Sequence, residues 1–166
     1  DKFHRLMSII LFSREIRSGK TTEIQNFVKG SFDFGGILMP DLNGFRHILD
    51  IRTGQQRQIQ VEKSSPNSIQ IGKYYFNPNS FIWANESIAH ELNLIPDFLI
   101  IDEVGKLELK NSGLYKSVSK AIDIYDNTDS SKQLLLVVRD SLLEEVLTFF
   151  ELKNYEIISN IDQMKI

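Results

Sequence analysis

Ser18-Gly19-Lys20-Thr21-Thr22 follows directly on the apolar run Leu6-Met7-Ser8-Ile9-Ile10-Leu11-Phe12, and a second apolar run further along, Phe98-Leu99-Ile100-Ile101, ends in Asp102-Glu103. These are the residue types of a phosphate-binding loop and its magnesium carboxylate. A loop that opens a helix points unpaired backbone N–H groups at an anion, and the helix N-terminus adds partial positive charge. Glu15, Ile16, Arg17, Ser18, Gly19, Lys20, Thr21 and Thr22 would form the cradle, with Lys20 reaching the β- and γ-phosphates and the Thr21 hydroxyl ligating Mg2+. Asp102, at the end of a buried strand, would complete the metal site, and Glu103 would orient or deprotonate an attacking water.

The loop departs from the pattern G-x-x-x-x-G-K-[ST], because Arg14 stands where its first glycine belongs. Glycine serves there because the chain turns sharply, so Arg14 requires a different turn or a wider loop. Glu15 would repel a triphosphate if it pointed inward, whereas Arg14 or Arg17 could add a cationic contact. Arg139 ends a third apolar strand, and two roles are open to it. It could neutralise developing charge on a phosphate, or pair with Asp140 or Glu144. Glu108 reads as a structural or solvated acid, since Glu103 already occupies the position beside the metal.

Other conspicuous residues have plainer readings. His4, His47 and His90 share no ligand spacing, which argues against a zinc site. Trp83 and Phe81 read as core. Tyr74-Tyr75-Phe76 could flank a base, or form an aromatic strand packed on the sheet.

After the loop, Ile24, Phe27 and Val28 give a helical apolar face that stops at Gly30. Gly35-Gly36 introduces a short buried strand at Ile37-Leu38-Met39. Phe45 to Ile51 and Gln58 to Val61 flank a turn at Thr53-Gly54-Gln55 and read as an antiparallel hairpin, inserted at about residues 43–62 on one edge of the sheet. A polar loop from Lys63 to Ser68 leads to a short strand at Ile69-Gln70-Ile71. Asn77-Pro78 starts a helix with Phe81, Ile82, Ala84, Ile88, Ala89 and Leu92 on its apolar face. Leu114 to Tyr125 gives another helix, then a polar loop from Asp126 to Lys132 precedes a doubly buried strand at Leu134 to Val138. A helix over Leu142 to Phe150 and a strand at Tyr155 to Ile158 close an open, mostly parallel α/β sheet in a single domain, 1–166. Ligands of such sheets bind at the carboxyl ends of the strands, where Ser13, Asp102 and Arg139 emerge.

Composition narrows the partners. Nineteen basic against twenty-two acidic residues leave a net charge of −3, so no global positive field draws nucleic acid or an anionic membrane. A small molecule is the expected partner. Cysteine is absent, which excludes disulfides and thiolate metal sites and fits a cytoplasmic location. No apolar run approaches the roughly 20 residues of a membrane span, and no signal-peptide pattern precedes the first strand. The chain opens at Asp1 rather than Met, as a fragment or one domain of something longer would. With no long heptad pattern, a monomer is the default expectation.

The segment Ile101-Asp102-Glu103-Val104-Gly105-Lys106-Leu107-Glu108-Leu109 resembles the I-D-E-I-G-K-M-E-L motif of the small P-loop nucleoside-triphosphatases, a family with thermophilic and human cancer-related members. Ile71-Gly72-Lys73-Tyr74 resembles its V-G-x-Y, and Gly35-Gly36-Ile37 with Thr53-Gly54 are similar to its strand and hairpin. The family usually carries glycines where Arg14 and Arg17 stand here. The resemblance implies a RecA-like, three-layer α/β/α fold and slow, magnesium-dependent hydrolysis of nucleoside triphosphates with broad base preference. By motif position Gly19, Lys20, Thr21 and Thr22 would hold the phosphates, Asp102 the metal, and Glu103 would act as base. Lys106 would touch phosphate or fix Glu103, or else be an exposed loop lysine. Two further classes stay open: a nucleotide-binding switch or adaptor without turnover, and a phosphotransferase with a metabolite acceptor.

Overall fold

Strand β1 (Ile9–Arg14) is buried from Ile9 to Ser13 because parallel neighbours cover both of its edges and helices cover both of its faces. The computed structural model describes residues 7–128 and 131–164; His4, Leu6 and the tip of the loop between Asp126 and Lys132 lie outside the described residues. Along the chain β1 is followed by α1 (Lys20–Phe27), β2 (Phe34–Leu38), β3 (Asp41–Leu42), β4 (Phe45–Asp50), β5 (Gln56–Gln58) and β6 (Gln60–Val61). Then come β7 (Ile69–Ile71), β8 (Tyr74–Phe76), α2 (Pro78–Leu94), β9 (Phe98–Ile101), α3 (Tyr115–Asp126), β10 (Gln133–Arg139), α4 (Leu143–Phe149) and β11 (Glu156–Ile158).

The main sheet has the order β11-β1-β10-β9-β2-β4-β3, with β5 also on β4. From β11 to β2 every pairing is parallel, and β4 turns the edge antiparallel. Helix α1 packs Ile24 and Phe27 with Ile10, Phe12, Phe98 and Ile100 on one face. Helices α2, α3 and α4 pack Ala84, Ile88, Val118, Ala121 and Val146 with Ile9, Leu11, Leu99 and Leu136 on the other. That is the expected three-layer, mostly parallel α/β arrangement. Close strand packing depends on Gly36, whose φ is 106°; a Cβ there would lie 2.0 Å from the Ile100 carbonyl oxygen.

The edge differs from the sequence expectation. The second arm of the hairpin divides at Ile59, which is 1% exposed. Gln56–Gln58 stays paired with β4, while Gln60–Val61 turns away and joins β8 in a separate three-stranded sheet with β7. Ile59 fixes the crossing by donating its N–H to the Arg46 carbonyl and accepting from the Asn77 N–H. Tyr74–Phe76 is a strand, but of this small sheet rather than the main one. An unforeseen two-residue strand, β3, pairs with β4 across Asn43-Gly44, both left-handed as a tight hairpin turn requires. Helix α2 begins as expected, with Asn77 capping and Pro78 in the first turn, yet Ile82 and Ala89 face solvent and the buried stripe is Phe81, Ala84, Ile88 and Leu92.

Candidate functional site

Strand β1 continues through Arg14, which pairs in register with Arg139, so the loop turns only after the position where glycine was missed. Arg17 and Gly19 make the turn with left-handed φ values of 57° and 87°. The Arg14 guanidinium leaves the cradle altogether. It donates to the Glu23 carboxylate at 2.6 Å, to the Ser18 carbonyl at 2.8 Å and to the Ser159 carbonyl at 3.2 Å, and it lies over the Phe12 ring. Arg14 therefore ties the outside of the loop to α1 and to the end of β11. Arg17 is bound to the Tyr74 hydroxyl at 2.8 Å, and Glu15, Ile16, Ser18 and Thr22 are exposed around the rim.

Within the loop, Gly19 occupies the cap position of α1 and supplies no capping side chain, so the first-turn N–H groups are open to an anion. Lys20 is 8% exposed and its ammonium donates to the Glu15 carbonyl at 2.7 Å and the Arg14 carbonyl at 3.4 Å. Burial pulls its pKa below the ordinary lysine value, against the Glu103 and Asp102 carboxylates.

Opposite the loop, Asp102 follows the last residue of β9 and is 1% exposed. The Thr21 hydroxyl donates to its Oδ2 at 2.8 Å, and the Met39 N–H donates to the same oxygen at 3.0 Å. Burial, and next the Glu103 charge, push the Asp102 carboxyl above the usual range in spite of those donors. Glu103 takes a left-handed φ of 55°, and its carboxylate forms an ion pair with Arg46 at 2.5 Å. Arg46 also binds Asp41 at 3.0 Å. Burial alone would lower the Arg46 pKa, but Glu103, Asp41 and Asp102 together outweigh it and the net direction is upward.

Strand β10 lies between β1 and β9, so Arg139 emerges between the phosphate loop and Asp102. Among the described residues its guanidinium makes no ion pair, so neither Asp140 nor Glu144 holds it. Lys106 is exposed on the turn after Glu103, and Arg46 rather than Lys106 is the cation paired with that carboxylate. Glu108 is structural: it is 3% exposed and accepts the N–H groups of Gly105 and Leu114, closing the loop beyond Glu103. His47 bonds locally to the Phe45 carbonyl, and Trp83 is half-buried beneath the Arg57 guanidinium.

Sequence reasoning missed Arg46. Its hairpin was visible, but its contact with Glu103 is created by β4 joining β2, which in turn pairs with β9. The nearest signal was a lone arginine in an otherwise partly apolar strand, Phe45-Arg46-His47-Ile48.

The sequence matches the family described as NTPase over residues 10–163. Among solved structures, THEP1 from the hyperthermophile Aquifex aeolicus is similar, with a TM-score of 0.66 and 19% identity over 93% of this chain and 91% of that one. That likeness is one of fold. No curated protein matches the chain. Among the described residues no helix is long and apolar enough to cross a membrane.

Proposed function

The chain belongs to the NTPase family, and from that premise we propose a magnesium-dependent nucleoside-triphosphatase that converts a nucleoside triphosphate and water to the diphosphate and phosphate. The observation that carries the reading is the hydrogen bond from Thr21, on the phosphate loop, to the buried Asp102 of a strand two places away in the sheet. It holds two oxygen ligands together at the carboxyl edge, next to a buried lysine.

The donor set fits magnesium. A hard cation of that size takes oxygen ligands and is bound through one or two protein groups together with substrate phosphates and water. Thr21 and Asp102 offer one hydroxyl and one carboxylate, and among the described residues no group of three or more His, Cys, Asp or Glu forms a cage. Magnesium, when bound, would draw charge from the phosphate oxygens. Its positive charge would also compensate the buried Asp102 carboxylate.

The chain's own residues would do the rest. The first-turn N–H groups of α1 and the Lys20 ammonium bind the β- and γ-phosphates, Lys20 exchanging the Glu15 and Arg14 carbonyls for phosphate oxygens. Arg139, unpaired between the two strands, neutralises charge on the transferring group. Glu103 accepts a proton from the attacking water as the bond to the leaving phosphate breaks. The cradle reads phosphate rather than base, which supports a broad base preference, and the Arg46 ion pair must be broken before Glu103 can engage a water, which supports slow turnover. Lys106, on the exposed turn after Glu103, is available to a phosphate oxygen.

The Arg46–Glu103 ion pair also favours a second reading, a nucleotide-binding switch that holds its base out of use. Phosphate release separates the two. A hydrolase releases phosphate with magnesium and loses it in Lys20→Ala and Glu103→Gln; a switch gains thermal stability with nucleotide and releases none.

A further inference from the structure

Beside the phosphate loop lies a cleft of 640 Å³, far more room than an attacking water takes. A single attacking water occupies about 30 Å³ of liquid volume, whereas ligand pockets for small molecules run from about 300 to 1,000 Å³. The cleft touches the loop at Ile16 and Arg17 and reaches Glu103 and Arg139, but Lys20, Thr21 and Asp102 do not line it. It is therefore separate from the phosphate cradle and adjoins the reacting end.

Its walls have two chemistries. Tyr74 and Phe76 of β8 and Phe81 of α2 present aromatic surface, and the small sheet that carries the first two is held to the loop by the Arg17–Tyr74 hydrogen bond. Cations surround that surface: Arg46, Arg139, Lys73 and Lys106 all line the cleft. The acids that share it are already engaged, Asp41 and Glu103 by Arg46 and Glu108 by two backbone N–H groups. An apolar wall that accepts a flat ring, set among cations of which Arg139, Lys73 and Lys106 form no ion pair among the described residues, selects a ring carrying an anion.

We infer that the cleft binds a second ligand beside the triphosphate, an aromatic ring bearing a phosphate, the chemistry of a nucleoside monophosphate. The ring lies against Tyr74 and Phe76, and the phosphate pairs with Arg46 and Lys73. Binding takes Arg46 from Glu103. The inference rests on the triphosphate occupying the loop, as proposed above, so its test fills the loop first.

Protein saturated with magnesium and a non-hydrolysable triphosphate would be titrated calorimetrically with AMP, GMP, CMP, UMP and phenyl phosphate, with adenosine and inorganic phosphate as controls. The expected result is one saturable site for the ring-bearing phosphates, at least tenfold weaker for either control. Arg46→Gln and Lys73→Ala should weaken it at least tenfold while triphosphate affinity, measured in the same titrations, shows that the fold is kept. Binding by the mononucleotides but not phenyl phosphate assigns the site to nucleotides; binding by both assigns it to aryl phosphates generally. No heat from any ring-bearing phosphate on triphosphate-loaded protein overturns the inference, as does equal binding to both variants. If the triphosphate itself fails to bind, the functional reading falls separately. The monophosphates are then titrated into Lys20→Ala protein, where binding lost with Arg46→Gln supports the cleft and no binding overturns it.

Discussion

The Glu108 carboxyl accepts the Gly105 N–H at 2.7 Å and the Leu114 N–H at 2.9 Å, yet burial outweighs both donors and pushes its pKa from 4.5 to about 7. An acid raised in this way binds more protons folded than unfolded between the two values, so its contribution to stability is full below the lower one and is lost as pH rises through the upper. Urea denaturation from pH 4 to 8 should show Glu108 contributing a loss on the order of 3 kcal/mol, and Glu108→Gln should flatten that part of the profile. An identical slope in the variant would contradict the assignment. At this scale the sequence exposed the chemistry but not the contacts. Lys20, Thr21, Asp102 and Glu103 were legible because a phosphate site needs those types beside a strand end. The destination of Arg14 was not, since one of its partners, Ser159, stands at the far end of the chain and is brought near only by the β1–β11 pairing. Arg46 was hidden for the same reason.

Between elements, β2 leaves no room for a side chain at Gly36 where it meets β9. Gly36→Ala would drive a methyl to 2.0 Å from the Ile100 carbonyl oxygen at a φ of 106°, on the sheet pairing that leads straight into Asp102. A loss of more than about 3 kcal/mol, or failure to fold, is expected. Gly44→Ala is the control: its φ is 82° with open space around the added methyl, so it should lose only about 1 kcal/mol in the same denaturation series. Comparable losses would show that packing against β9 is not what requires glycine at 36. The parallel strands and the helices were readable from apolar runs and caps, as with Leu134 to Val138 and Asn77-Pro78. The small sheet was not. Strands at Ile69–Ile71 and Tyr74–Phe76 were readable, but their pairing into a separate sheet was not, because they are three residues long with half-exposed or exposed faces and only Ile59 sends the hairpin arm there.

Across the whole molecule, the sheet order sets the loop on β1 and Asp102 on β9 with β10 between them, and the Thr21–Asp102 bond spans that gap. A triphosphate with magnesium bound at this junction would stabilise the folded chain by about 2.7 kcal/mol at a hundred times its Kd. Thermal denaturation should show that gain with magnesium and lose its magnesium-dependent part in Thr21→Ala; equal stabilisation of the variant would remove Thr21 from the metal site. Cooperation between the loop, the strand-end acid and the neighbouring Glu103 is the central claim, and steady-state phosphate release from ATP, GTP, CTP and UTP with magnesium tests it most directly. Turnover on all four is predicted, falling at least a hundredfold in Lys20→Ala and in Glu103→Gln while Glu103→Gln still binds triphosphate. Turnover unchanged in Glu103→Gln, or absent from the wild type while nucleotide still binds, would contradict it.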